Sequence, residues 1–193
     1  MKWLWLVVLC TACGYKLATP GVASSYPKIS VPYVKGDNTG KLTDYLVREL
    51  EMRGRLDYTD AASLTLATKI VTDQKERIGY RYDRKGTESN RISRLRPTES
   101  KRVMTVLVTL KDESTGKTIF GPKKVTARVD YDYVNFDTIN DLGFTPSGGP
   151  LTSVLAFSLG QLDAVEGAEN AALDPLYRKL AILIADGIDA TSL

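Results

Sequence analysis

The chain has 193 residues, 43% hydrophobic and 25% charged, with a formal net charge of +3, the balance of an ordinary globular domain long enough to bury one core. It contains no histidine, which removes the commonest general base, the usual metal ligand and every Ser–His or Cys–His nucleophile pair. Two cysteines, Cys10 and Cys13, both lie at the start, so no disulfide framework is expected in the remainder.

Met1 and Lys2 precede a short apolar run, Trp3 to Leu9, followed by the small residues Thr11 and Ala12 and then Cys13. About seven apolar residues fall far short of the roughly twenty needed to span a bilayer, so residues 1–12 read as a removed signal peptide. Cutting before Cys10 would leave bulky Leu9 at the cleavage position, whereas cutting before Cys13 leaves Ala12 there. The run resembles the bacterial lipobox, with Cys10 standing where Leu is usual. That likeness implies a diacylglycerol and an acyl chain on Cys13, with no other cofactor, and several acyl chains hold a protein durably on a membrane. The alternative is a secreted protein cut near Ala12 with a free thiol. Gly14, in place of an Asp, favours the outer membrane over the inner.

Residues 13–26 then read as a lipidated tether, and 27–193 as a single domain. Lys28 to Val34 alternates as a first strand, and Pro32 inside it calls for an edge position or an early end. Gly36 to Gly40 is a turn carrying helix-capping residues, and Leu42, Tyr45, Leu46 and Leu50 recur at helical spacing up to Gly54. Glu49 and Arg53 form an i,i+4 pair expected on the wet side. Ser63 to Asp73 is a second strand that runs on toward Ile78, Tyr80 and Tyr82. The polar stretch 86–98, ending near Pro97, reads as a loop or hairpin tip. Val103 to Leu110 is a third strand, 112–117 a hairpin turn, and Val125 to Tyr133 a fourth strand. Residues 135–160 form an irregular insertion with an evident Pro146–Pro150 loop. A last helical region runs from Leu162 to Ile188, with a break expected at Asp174–Pro175 and a core stripe of Leu176, Leu180, Leu183, Ile184 and Ile188. The expected class is α+β: two helices on one face of a four-stranded, mostly antiparallel sheet, in the order β-α-β-β-β-α.

Cys13-Gly14-Tyr15-Lys16-Leu17 resembles the acylated start of the LPS-assembly lipoprotein family, LptE, in which an aromatic residue and a Leu follow Cys-Gly. The helix with "LVRELEMRG" and the hairpin "VLVTLKDESTGKTIFGPKKVTARVDYDY" look like that family's first helix and paired third and fourth strands. The insertion departs from the family's usual pattern, and the end of the chain resembles the version found in chlamydia-like bacteria. The resemblance implies a non-enzymatic protein of the outer membrane, facing the periplasm, that plugs the lumen of an LptD-type β-barrel and assists assembly of lipopolysaccharide into the outer leaflet.

One stretch stands apart in charge. Lys75 to Arg102 holds ten basic residues against four acidic ones, a net +6. Arg81, Arg84, Lys85, Arg91, Arg94 and Arg96 are therefore the candidates to contact lipopolysaccharide phosphates or an acidic barrel lumen, since arginine presents paired donors to such groups. A solvated loop kept soluble by its charges is the plainer alternative. A nucleic-acid partner is not expected for a secreted, anchored protein. Tyr131 and Tyr133 read as core or edge-strand residues, and Asp130, Asp132 and Asp137 lack any calcium-loop spacing, so no metal site is expected. A competing use of the same fold is an accessory lipoprotein subunit of a periplasmic transporter or cell-wall synthase. A barrel plug should be polar nearly all round, a docking subunit should show one apolar patch, and the helix stripes look fully used against the sheet.

Overall fold

The computed structural model describes residues 27–54, 57–60, 62–85, 90–134, 143–144, 149, 152–153 and 165–191. The signal, Cys13, the tether and most of 135–160 lie outside them, as do the side chains of Arg84 and Lys85. The elements in chain order are β1 (Lys28–Ser30), α1 (Lys41–Arg53), β2 (Asp57–Tyr58), β3 (Leu64–Lys85), β4 (Asn90–Asp112), β5 (Lys117–Asp132), β6 (Gly143–Phe144), β7 (Thr152–Ser153), α2 (Val165–Ala171) and α3 (Leu173–Asp189).

The class is α+β, but the sheet has five strands in the order β2-β1-β3-β4-β5 rather than four. The long ladders are antiparallel, as expected, but the two short strands add parallel pairing. β1 pairs in parallel with both β2 and β3, while β3–β4 and β4–β5 are antiparallel. The strand missed is β2, whose two residues are too short to show a period. Pro32 acts through an early end: β1 stops at Ser30 although it sits inside the sheet, and contact with β3 resumes at Lys35, whose N–H donates to the Thr68 carbonyl at 3.1 Å. β6 and β7 form a separate two-stranded ribbon within the insertion.

One face of the sheet makes the core. Leu64 and Leu66 of β3 and Met104, Val106, Val108 and Leu110 of β4 alternate inward and are buried, as a half-covered sheet requires. Against them α1 presents Leu42, Leu46 and Leu50, one residue per turn. α3 presents a broader stripe, Leu176, Tyr177, Leu180, Ala181, Ile184, Ala185 and Ile188. Leu183, assigned to that stripe from spacing, is exposed instead, because the alanines let α3 sit close on the side that carries Ala181 and Ala185. The helical region breaks at Ala172, next to the expected place, which puts Pro175 in the first turn of α3 where its missing N–H has no helical partner to lose.

The ends of α1 are fixed by side chains. Buried Asp37 accepts hydrogen bonds from the Thr39 N–H (3.0 Å), the Thr39 hydroxyl (2.7 Å) and the Leu42 N–H (2.8 Å), so it supplies the cap although the turn itself ends in Gly40. Gly54 closes the helix with φ 61°, a left-handed conformation that glycine adopts without strain. Arg53 does not lie on the wet side. Its guanidinium reaches Glu49 (2.9 Å) on its own helix and Asp186 (2.8 Å) and Asp189 (2.7 Å) of α3, tying the two helix ends together. Among the described residues no helix is long and apolar enough to cross a membrane.

Candidate functional site

The polar stretch read as a loop is an arm. β4 begins at Asn90, so residues 90–98 are strand, paired with β3 from Gly79 to Lys85. β5 leaves β4 at the Glu99–Asp132 pair, and beyond that line the described β3–β4 pairing runs on from Gly79 to Lys85, about 20 Å at roughly 3.3 Å per residue. Pro97 fits here because β4 has become an edge strand, where the N–H that proline lacks would have faced solvent. Gly79 sits between two register shifts, and a Cβ there would come within 2.5 Å of the Glu99 side chain. The shifts are bulges, which add twist and turn the arm relative to the sheet.

The base of the arm is charge-balanced. Arg102 holds Asp73 across the β3–β4 pair through its Nε (2.8 Å) and Nη2 (2.6 Å), and this carboxylate raises the arginine's pKa against the opposing effect of burial. Lys101 pairs with Glu76 at 2.8 Å, and Lys75 reaches Glu169 of α2 at 2.5 Å. Lys75, Glu76 and Glu169, with Arg77, Pro97, Ser100, Tyr131 and Tyr133, surround a cleft of about 260 Å³. Tyr133 is buried and Tyr131 half-buried, with ring centres 6.2 Å apart, the structural placement expected for them. Burial and the nearby Glu169 push the Tyr131 hydroxyl above the usual tyrosine range.

Four of the six candidate cations are described on the distal arm. The pairing sets Arg81 directly opposite Arg96, and Arg84 opposite Arg91; Lys85 faces Asn90, and the side chains of Arg84 and Lys85 lie outside the described residues. Two arginines opposite one another repel, and the sequence places the answer between them. Asp83 is only 2% exposed. Its Oδ2 accepts from Arg94 Nε at 2.6 Å and from Arg96 Nε at 3.3 Å, and Arg94 Nη2 donates to the same oxygen. Arg91 takes another route, with its guanidinium carbon 3.4 Å from the centre of the Tyr82 ring, a cation–π contact.

The arrangement is a held cluster of guanidiniums around one buried carboxylate, on a scaffold projecting from the core. Such a cluster can bind phosphates or carboxylates. Cys13, the lipidation candidate, lies outside the described residues. Sequence reasoning missed Asp83, whose signal was its position two residues from Arg81 on an alternating strand. A plug is expected to be polar nearly all round and a docking subunit to show one apolar patch; Tyr80, Tyr82 and Leu95 of the arm are exposed apolar side chains.

No family model and no curated protein matches this chain. Among solved structures it is similar to a minor lipoprotein from Acinetobacter baumannii, at 16% identity and TM-score 0.48, over 86% of this chain and 94% of that one. It is similar to a hypothetical protein from Chlamydia trachomatis, at 8% identity and TM-score 0.45, over 86% and 100%. Rare lipoprotein B from Shewanella oneidensis aligns at 16% identity and TM-score 0.37, over 84% and 91%. At these scores the likenesses assign no site to this chain.

Proposed function

We propose that the protein is a lipoprotein anchored through Cys13 in the outer membrane, facing the periplasm, that plugs an LptD-type barrel and assists assembly of lipopolysaccharide into the outer leaflet. The observation that carries this reading is the arm: beyond the point where β5 ends, Arg94 and Arg96 share the buried Asp83, Arg81 lies opposite Arg96, and Arg91 stacks on Tyr82. Lipopolysaccharide carries phosphates on its lipid moiety, and guanidiniums bind phosphate through paired, charge-assisted hydrogen bonds. The Thr11-Ala12-Cys13-Gly14 sequence supports the anchor. The role breaks no bond, so the protein works as a binding and positioning component rather than as an enzyme.

A second reading is favoured by the exposed Tyr80, Tyr82 and Leu95, which suit an accessory subunit docking on a periplasmic domain of a transporter or cell-wall synthase. Capture through a tag placed after Leu193, from outer membranes in mild detergent, separates the two. A one-to-one complex with the lipopolysaccharide-transport barrel is expected. Recovery of a transporter or synthase subunit without a barrel would replace the first reading with the second.

A further inference from the structure

The helix-facing side of the sheet does not end where the helices end. Pro97 lines the same cleft as Ser100 and Tyr131, so this side continues outward onto the arm. There the register sets Tyr80 opposite Pro97 and Tyr82 opposite Leu95, which places all four on one face. Tyr80 is 53% exposed, Tyr82 44% and Leu95 55%. The opposite face carries Arg81, Asp83, Arg94 and Arg96. Arg91, stacked on the Tyr82 ring, brings a cation to the apolar side as well. The arm is thus a thin ribbon with an aromatic and aliphatic stripe on one side and guanidiniums on the other and along the rim.

We propose that the arm seats on an anionic lipid–water interface, with Tyr80, Tyr82 and Leu95 at the boundary between headgroups and acyl chains. Arg81, Arg91, Arg94 and Arg96 then hold headgroup phosphates. Charge complementarity selects the occupant. The sequence between Tyr80 and Pro97 holds six cations against two acids, and four of those cations are described beside a stripe two strands wide. A protein groove would bury the stripe and leave that positive field uncompensated, whereas an anionic interface answers both. Tyrosine, with an apolar ring and a polar tip, prefers this depth, and arginine stems reach from it to phosphates. The inference deepens the reading of the arm as a binder of anionic amphiphiles but requires no barrel.

The chain offers its own reporter. Its two tryptophans are Trp3 and Trp5, and every described element lies between residues 27 and 191, so a chain from Gly14 to Leu193 retains all of them without any tryptophan, its fold checked by circular dichroism against the full chain. In that background Tyr82→Trp places one fluorophore on the stripe, and Tyr58→Trp places one on β2 at the far edge of the sheet. The probes are vesicles of phosphatidylcholine and phosphatidylglycerol in equal parts, with or without bromine on the acyl chains, and vesicles of phosphatidylcholine alone. On the anionic vesicles the Tyr82→Trp emission shifts to the blue and is quenched by brominated chains, binding is at least tenfold tighter than to phosphatidylcholine, and Tyr58→Trp does neither. Absence of vesicle binding by a variant with native circular dichroism overturns the proposal. So does binding in which Tyr82→Trp stays unshifted and unquenched, since that is attachment by charge alone. A photo-crosslink from position 82 into a protein, in intact membranes, together with no vesicle binding, would assign the stripe to a protein partner. Capture that recovers no barrel would leave the vesicle result standing, so the two inferences fail separately.

Discussion

Removing the one buried acid of the arm separates the arm's stability from that of the core. In Asp83→Asn the carboxylate that Arg94 and Arg96 share becomes a neutral amide, while Arg81 still faces Arg96 across the strands. Breaking a fully buried ion pair costs about 3–5 kcal/mol. The Asp83 side chain is 3% exposed and Arg96 22%, but Arg94 is 57% exposed, so solvent screens part of the loss and about 2 kcal/mol is expected. At 1.4 kcal/mol per factor of ten, that raises the opening equilibrium of the arm roughly 30-fold. Beyond Thr98, whose carbonyl accepts from the Tyr133 N–H at 3.0 Å, no third strand among the described residues pairs with the arm, so the loss is expected to stay local. Native-state hydrogen exchange reads it directly: amides in 80–83 and 91–96 should exchange about 30-fold faster, and those of β4 from Met104 to Leu110 should not change. A midpoint of global unfolding that falls by the full 2 kcal/mol, or arm amides left unchanged, would refute the view of Asp83 as the counter-charge of an autonomous arm.

Two further outcomes follow from the core. Arg53→Leu leaves Glu49, Asp186 and Asp189 facing one another at the joined ends of α1 and α3 and should cost about 2–3 kcal/mol, or roughly 5–10 °C in Tm; Arg53→Lys should restore less than half, because an ammonium cannot span three carboxylates. Burial and the neighbouring Asp37 hold the Tyr177 hydroxyl above the ordinary tyrosine range, so the neutral form is favoured in the fold. That contribution is complete below pH about 10 and is lost as pH rises beyond it. Tyr177→Phe should therefore flatten the fall of the urea midpoint above about pH 10, and a fall as steep as the parent's would show that Tyr177 is not the group titrating.

What the sequence made legible depended on water touching only one side of an element. α1, with Leu42, Leu46 and Leu50 inward, was read nearly to its ends, and so was the turn between β4 and β5, where Asp112 accepts from the Ser114 N–H at 2.9 Å. Residues 90–98 were misread because Asn90, Arg91, Ser93, Arg94 and Leu95 are exposed on both faces of the strand alike. Burial alternation vanishes there, and Arg, Ser, Thr, Glu and Pro look like loop composition although they pair in register with β3. The parallel pairing of β1 was illegible for another reason. Three residues interrupted by Pro32 hold no information about the direction of their neighbours, which the crossover through α1 decides. At the candidate site, spacing located the basic stretch but could not show which of its charges cancel.

That cancellation is uneven, and its direction matters for how the arm would work. Near the base, Lys75, Lys101 and Arg102 are each spent on a carboxylate, two of them across the β3–β4 pair and one to α2. These contacts fasten the arm's root to the sheet and leave little field there. Farther out, the sequence from Tyr80 to Pro97 holds six basic residues against Asp83 and Glu88, a net +4. The field therefore rises outward along the arm, and an approaching anion is drawn there rather than to the cleft at the base. Salt offers a way to see this. Screening acts over about 8–10 Å near physiological ionic strength, so raising it should weaken binding through the distal arginines while leaving the short pairs of the root in place. A binder that must hold an amphiphile away from its own core, with a root that does not loosen when the ligand leaves, requires this separation of a neutral base from a charged end.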